Sequence, residues 1–246
     1  MYKPDEPQRL SKVMSSRGIC SRREADDYIS RGMVRVNGSV AVLGQKVISS
    51  DRIELTEAAS SAQDSRVTVL INKPLGYVSG QAEDGYKPAR VLVCPSNRWS
   101  GDTSELRFSL SHLRSLVPAG RLDINSTGLL VLTQDGRIAR KLIGEDSSVE
   151  KEYLVRVSGH LCENGLKLLN HGLSLDGEML LPARVSWMGD GVLNFILHQG
   201  KKRQIRRMCE LVGLHVTSLQ RVRIGEIKLG ALPCGKWRYL KRSEYF

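Results

Sequence analysis

The sequence predicts an α+β protein with a mixed order of helices and strands, divided into a small N-terminal module and a larger domain. Three observations predict it. Apolar residues recur at helical spacing and then alternate in the first 40 residues, a small polar stretch "EAASSAQDS" follows, and apolar strand-like runs such as "VTVLI" and "LLVLT" come after it. We therefore expect domains at residues 1–58 and 66–246, joined by a linker at 59–65.

Composition limits what such a protein can be. Its 246 residues, 41% of them hydrophobic, are enough to bury a core without disulfides or structural metals. Lys and Arg outnumber Asp and Glu by 37 to 26, which favours a polyanionic partner, although a basic surface can equally serve solubility. Five widely spaced cysteines without a Cys-x-x-Cys pair, and no long apolar segment, predict a cytoplasmic protein that does not enter a membrane.

The N-terminal module should begin with two short helices. An apolar stripe at i, i+3 and i+4 over residues 10–14 predicts the first helix, which ends at Gly18. Ser21 and Glu24 have the spacing of a capping box, so the second helix starts there. Small β-structure follows, because "MVRVNGSV" alternates apolar and polar residues and then turns at an Asn-Gly pair.

Two arginines of this module stand where a helix disfavours them. Arg22 and Arg23 lie in the first turn of the second predicted helix, where the macrodipole disfavours positive charge by about 0.3–1 kcal/mol. With Arg9 and Lys12 they could form a patch that contacts RNA phosphates without selecting a base sequence. Taken singly, each could equally be a solvated surface charge.

The larger domain contains one carboxylate in a notable setting. Asp123 lies in "GRLDINSTGLLVLTQDG", where a turn leads directly into an apolar strand that should anchor it. A carboxylate at such a rim is partly desolvated and calls for a compensating cation or several donors. The alternative is ordinary turn chemistry, since Asp, Asn, Ser and Gly are all common turn residues.

A basic helix could supply that cation. In "HQGKKRQIRRMCELVG" a helix would place Ile205, Met208, Cys209 and Val212 on its core face and Arg206 at the edge of that face, able to reach inward. The outward residues would form a phosphate-binding row: Lys201, Lys202, Arg203 and Arg207. A solvated basic helix is the alternative.

Two further residues have two interpretations each. Tyr153 shares a strand face with Val155 and Val157, which favours core packing, but a tyrosine at the rim of such a face can also stack on an unstacked base. Lys73 ends the strand before "PLGYVS", either as a solvated turn lysine or as part of a site.

Several other kinds of site are excluded by the residues present. The segment from Asp123 begins like a calcium loop but has Gln134 at position twelve, where a bidentate glutamate is required. "GALPCGKW" has the spacing of a nucleotide-binding loop, yet Trp237 replaces the hydroxyl that binds magnesium. No G-x-S-x-G elbow occurs and the five histidines are scattered, so we expect neither a serine triad nor a metal.

The order of the motifs identifies a family. "RLSKVMSSRGICSRREADDYISRGMVRVNG" resembles the RNA-binding domain named after the fourth small-subunit ribosomal protein, and "NKPLGYVS", "GRLDINSTGLLVLTQDG", "EKEYLV" and "QGKKRQIRRMCE" resemble the bacterial pseudouridine synthases that modify ribosomal RNA, especially those of the large subunit. The resemblance implies a helix-turn-strand RNA-binding module followed by a catalytic domain with a mostly antiparallel sheet and flanking helices.

The resemblance also implies roles for residues. Asp123 corresponds to the essential aspartate, Tyr153 to the base-stacking tyrosine, and Arg206 to the arginine that forms a salt bridge with the aspartate. The reaction breaks the N1–C1′ bond of a uridine and rejoins the base through C5, with no metal and no nucleotide cofactor. The residues predicted to bind RNA are Arg9, Lys12, Arg22, Arg23, Lys73, Arg121, Lys201, Lys202, Arg203 and Arg207.

The expected partner is ribosomal RNA, free or within an assembling subunit, and the expected state is a monomer. A synthase acting on transfer RNA and a non-catalytic RNA-binding or ribosome-assembly factor stay open as alternatives. Asp123 could attack the sugar, add to the base or accept a proton. Residues 90–118 look like an insertion, which could contact RNA through Arg98, Arg107 and Arg114 or be a tolerated surface loop.

Overall fold

The computed structural model describes residues 6–144 and 146–246. The N-terminal elements are β1 Gln8–Arg9, α1 Leu10–Ser16, α2 Arg22–Ser30, β2 Val34–Val36, β3 Ser39–Val40, β4 Lys46–Val47, β5 Ile53–Leu55 and α3 Glu57–Asp64. As the sequence predicts, Gly18 follows α1 with φ +70°, and the Ser21–Glu24 capping box starts α2. A small core of its own, which includes Met14, Tyr28 and Val34, holds the module together.

The stretch that the sequence assigns to a linker is helical over most of its length. Thr56 caps α3 by accepting a hydrogen bond from the amide of Ala59. Gln63, near the end of α3, is buried, accepts a hydrogen bond from the Tyr28 hydroxyl (3.0 Å) and donates one to Asp135 (3.0 Å). This helix therefore joins the module to the larger domain through a buried polar contact instead of passing between them as free chain.

The larger domain contains the remaining strands and helices. Its elements are β6 Thr68–Lys73, β7 Tyr77–Val78, β8 Lys87–Pro88, β9 Val117–Pro118, β10 Thr127–Thr133, α4 Gly136–Ile143, β11 Lys151–Gly159, α5 Gly165–Asn170, β12 Ser174–Leu175, β13 Glu178–Met179, β14 Arg184–Gly189, β15 Val192–Leu197, α6 Gln204–Leu211, β16 Leu214–Ile224, β17 Ile227–Lys228 and β18 Trp237–Tyr239. Within the described ranges, no helix has the length and hydropathy needed to cross a membrane.

A nine-stranded sheet organises this domain. Its strand order is β14-β15-β11-β16-β10-β6-β18, with β17 paired to β16 and β9 paired to β10. β10 and β16 run parallel, whereas the other pairs are antiparallel, which confirms the mostly antiparallel sheet. One face packs against α6 in the larger core, and the opposite face carries a second core that includes Leu129 and Ile224.

The insertion at residues 90–118 packs on β18, the edge strand of the sheet. The indole of Trp237 donates a hydrogen bond to the Cys94 carbonyl (2.8 Å), and Phe108 packs against the same ring. Arg98 forms an ion pair with Asp102 (2.9 Å) and lies over the ring of Tyr239 (5.2 Å). The amide of Trp99 also donates to the Trp237 carbonyl (2.8 Å), so the insertion covers part of the backbone edge of β18 that does not pair with β6.

Candidate active site

A row of residues crosses the centre of the sheet on one face. Tyr153 on β11 pairs with Arg221 on β16, Arg221 pairs with Gly128 on β10, and Gly128 pairs with Lys73 on β6. Directly paired residues of neighbouring strands point to the same face, so an aromatic ring and two cations meet here. Tyr153 and Lys73 are among the residues that the sequence predicts for a site, whereas Arg221 is not.

Gly128 is required at its place in this row. Its φ is +102°, in the region that favours glycine, and an added Cβ would lie 2.3 Å from the carbonyl oxygen of Arg221. The glycine therefore lets β10 and β16 approach closely just after the loop that carries Asp123.

Asp123 lies in that loop, which several hydrogen bonds fix in place. The amide of Leu122 donates to the Ser79 hydroxyl, which donates in turn to the Leu122 carbonyl, both at 2.8 Å. The amide of Gly76 donates to the carbonyl of Ile124 (3.0 Å), and the amide of Ser126 donates to the carbonyl of Asp123 (3.0 Å). The carboxylate is thus half-buried on an anchored turn, as the sequence predicts.

Arg206 is buried beside this loop, but the predicted salt bridge to Asp123 is wrong. Its side chain donates to the carbonyls of Asn125 (2.8 Å) and Val216 (3.1 Å), and no described lysine, arginine or histidine forms an ion pair with Asp123 within 4.0 Å. The reason is geometric, because the guanidinium donates to a backbone carbonyl two residues beyond the carboxylate. Arg206 therefore anchors the loop.

The charge of Asp123 nevertheless acts on both buried cations. Burial lowers the pKa of the Arg206 guanidinium, and the negative charge of Asp123 opposes this shift. Burial likewise lowers the pKa of Lys73 to about 8, again with opposition from Asp123. The carboxylate thus offsets part of the free-energy cost of keeping two positive charges out of water.

The prediction that Lys73 binds RNA is also wrong. The residue is fully buried, and its ammonium donates to the carbonyls of Pro74 (2.9 Å) and Tyr77 (3.0 Å). β6 is flanked by β10 and β18 and is buried on both faces, so its last side chain has no route to an RNA phosphate. Lys73 instead supports the turn that contacts the Asp123 loop.

Helix α6 confirms the predicted division into an inner and an outer face. Ile205, Met208, Cys209 and Val212 are all in the core. On the outer side, Arg207 pairs with Asp176 (2.6 Å) and Lys201 pairs with Glu178, so part of the predicted phosphate-binding row is already matched by carboxylates. The other predicted RNA-binding residues are exposed, and their function stays a prediction: Arg9, Lys12, Arg22, Arg23, Arg121, Lys202 and Arg203.

The larger domain contains two cavities with different lining residues. One of about 340 Å³ is lined by Arg121, Gln81 and Glu83 and borders the Asp123 loop. Another of about 460 Å³ is lined by Glu152, Arg223 and other residues, and Asp123 lines neither of the two. Among the described residues, no cluster of three or more His, Cys, Asp or Glu side chains could hold a metal ion.

Comparisons with known proteins divide the chain in two. Residues 67–211 match the family described as RNA pseudouridylate synthase, and residues 8–53 match the S4 domain. The chain is 36% identical over 243 residues to the dual-specificity RNA pseudouridine synthase RluF of Escherichia coli (strain K12), covering 98% of this chain and 78% of that protein. Over 244 residues it is 32% identical to the ribosomal large subunit pseudouridine synthase B of Bacillus subtilis (strain 168), covering 96% and 93%.

A solved structure agrees in fold. The protein described as "Crystal structure of pseudouridylate synthase" superposes with a TM-score of 0.65 at 27% sequence identity, over 96% of each chain.

Proposed function

Because the chain belongs to the RNA pseudouridylate synthase family, we propose that it converts a specific uridine of ribosomal RNA, most directly of the large subunit, to pseudouridine. The chain is an RNA pseudouridine synthase with an N-terminal S4 domain. In the proposed reaction the N1–C1′ bond breaks and a C5–C1′ bond forms, while N1 gains a proton and the hydrogen on C5 leaves as a proton. The proposed state is a monomer in the cytoplasm.

The observation that carries this proposal is the placement of Asp123. An anchored loop holds its carboxylate just before the start of β10, near Lys73 and Arg206. A carboxylate fixed in this way can attack the sugar, add to the base or accept a proton. Tyr153, which retains a small exposed part, is proposed to pack against the uracil once it has left its stack.

The S4 domain is proposed to hold the RNA. Its four predicted phosphate-binding residues are exposed, and none of them forms an ion pair with a described carboxylate: Arg9, Lys12, Arg22 and Arg23. Exposed and unpaired cations bind phosphates by releasing counterions, and this binding does not depend on the base sequence of the RNA. The catalytic domain is therefore proposed to select the uridine.

Release of tritium tests the reaction and the substrate together. Transcripts of large-subunit RNA, small-subunit RNA and transfer RNA are labelled with tritium at C5 of uridine and incubated with the wild-type enzyme. The proposal expects release of close to one equivalent from the large-subunit transcript. Release from transfer RNA alone would identify the other substrate class, for which the dual-specificity name of a relative is the reason to test. No release from any transcript would leave a non-catalytic RNA-binding protein.

A further inference from the structure

Two buried arginines of the central sheet are compensated in different ways. Arg238 on β18 is 8% exposed and forms two hydrogen bonds to the carboxylate of Glu244 (2.6 and 2.7 Å). Arg221 on β16 is only 2% exposed, yet within residues 6–144 and 146–246 it has no ion pair, and its Nη2 has no hydrogen-bond partner. A buried guanidinium without a carboxylate destabilises a fold, so Arg221 calls for an explanation other than stability.

The hydrogen bonds of Arg221 go to both ends of one loop. Nε donates to the carbonyl of Leu129 (2.7 Å), at the start of β10, and Nη1 donates to the carbonyl of Arg121 (3.3 Å), two residues before Asp123. One rigid guanidinium plane therefore spans the segment that carries the reacting carboxylate. The planar fork of arginine can bridge two acceptors in this way, whereas the single ammonium of lysine cannot hold both in the same geometry.

The same guanidinium also lies against the proposed base-stacking ring. Its central carbon is 6.0 Å from the centroid of the Tyr153 ring, and the two residues are direct partners across β11 and β16. A cation near an aromatic face is attracted by the ring quadrupole, and the attraction is stronger away from water. Arg221 thus contacts both the Asp123 loop and the ring.

We propose that Arg221 is a positioning residue that fixes the Asp123 loop relative to the Tyr153 ring. The inference rests on the proposed function, since it gives these two residues their roles. Arg221 acts through the loop and the ring and forms no bond with the RNA. Its loss lets the carboxylate and the stacked uracil drift apart, which slows the chemical step and leaves RNA binding intact, because the exposed cations of the S4 domain are far along the chain and unchanged.

The test uses two substitutions of Arg221 and one matched control. Arg221→Met removes the charge but keeps most of the buried volume, and Arg221→Lys keeps the charge but loses the fork. Both should lower kcat for C5 tritium release about a hundredfold, the scale expected for a misplaced reacting group. KM for the RNA should stay within about threefold. The control Arg223→Lys, two residues along β16, breaks contacts with Glu150 and Glu152 and should leave kcat unchanged.

Measurements of Tm and of amide hydrogen exchange show whether Arg221 positions the loop or only stabilises the fold. Because Arg221→Met removes a buried charge that lacks a carboxylate, its Tm should equal or exceed that of the wild type even though kcat falls. Amide hydrogen exchange in this variant should rise within residues 122–128 and remain unchanged in α2 of the S4 domain.

Each outcome decides the matter. A folded Arg221→Met with wild-type kcat overturns the inference, and so does a loss of activity that merely follows a lower Tm. If neither variant folds, Arg221 is a stabilising residue and the inference is again overturned. A wild-type enzyme that releases no tritium from any transcript contradicts the proposed function itself, which distinguishes that failure from the failure of this inference.

Discussion

The N-terminal module and the centre of the nine-stranded sheet both concentrate positive charge, but they hold it differently. The module exposes Arg22 and Arg23 to solvent at the start of α2. The sheet and the adjoining helix α6 bury Lys73, Arg206 and Arg221, whose donors bind backbone carbonyls. The module thus exposes charges that a partner can contact, whereas the buried charges near the sheet hold loops of the protein itself.

Because of this difference, we expect the exposed cations to affect RNA binding and the buried cations to affect the chemical step. An exposed cation gains by neutralising phosphates, so removing it should change affinity and its dependence on salt. A buried cation that holds a loop contributes through geometry, so removing it should change kcat. Substitutions in the two regions should therefore change different measured quantities.

Arg206→Lys should lower activity as much as the Arg221 variants do, which is the largest effect expected of any cation around Asp123. Arg206 donates to the carbonyls of Val216 and Asn125 from two separate nitrogens, and the one nitrogen of lysine cannot occupy both positions. The Asp123 loop therefore loses its anchor, and kcat for tritium release should fall about a hundredfold. The matched control is Arg184→Lys, an exposed arginine of the same domain that pairs with Glu150. Equal activities of the two variants would show that α6 does not position the loop.

Gln63→Leu should weaken the contact between the N-terminal module and the larger domain. The substitution removes the acceptor of the Tyr28 hydroxyl and one of the donors to the Asp135 carboxylate, which should lower the free energy of unfolding by about 1–3 kcal/mol. Urea denaturation measures the change, with Ser61→Ala on the exposed side of α3 as control. Equal stability of both variants would mean that the module is not held by this contact.

Replacing Arg22 and Arg23 together by Gln should change binding alone. If each arginine neutralises one phosphate, the slope of log affinity against log salt becomes shallower by about one to two units, while kcat stays unchanged. The control replaces Arg31 and Arg52, exposed arginines of the same module that already pair with Asp27 and Glu54. A slope that responds equally to both double substitutions would contradict a specific phosphate patch.

Lys73 should produce a smaller effect, visible in the pH dependence of stability. In the folded protein burial lowers the pKa of its ammonium from 10.5 to about 8, so between these values the unfolded chain binds more protons. Stability should therefore rise with pH through this interval, by on the order of 1 kcal/mol between pH 8 and about 9.5. The Lys73→Met variant should lose this rise, whereas the control Lys46→Met, at an exposed position, should keep it. Parallel curves of the free energy of unfolding against pH for all three proteins would contradict a buried ammonium at Lys73.

Local patterns predicted much of the fold. The capping box of Ser21 and Glu24 and the core face of α6 follow from contacts between residues three or four apart, which the sequence displays directly. The alternation after Tyr153 likewise predicts the strand and the face that it shares with Val155. The structure also brings Arg206 beside the Asp123 loop, while the catalytic roles of the two residues stay a prediction.

The partners of the buried cations could not be predicted in the same way. Lys73 is buried because β10 and β18 flank β6. Arg206 donates to the Asn125 carbonyl, which lies 81 residues earlier in the chain. Both contacts join residues far apart in the sequence, so local patterns do not predict them. The sequence does contain a pattern that indicates Arg221. In "LHVTSLQRVRI" it occupies the position two residues after Leu219, on the core face of a long strand, where an arginine is unusual.

The central claim is that Asp123 performs the chemistry while the exposed cations hold the RNA. The most direct test measures RNA affinity and single-turnover release of C5 tritium for wild type and Asp123→Asn in the same preparation. The account predicts that Asp123→Asn binds the transcript within about threefold of wild type and releases no tritium above background, because the substitution keeps the size of the side chain and removes only its charge. Release at a rate close to that of wild type would contradict it.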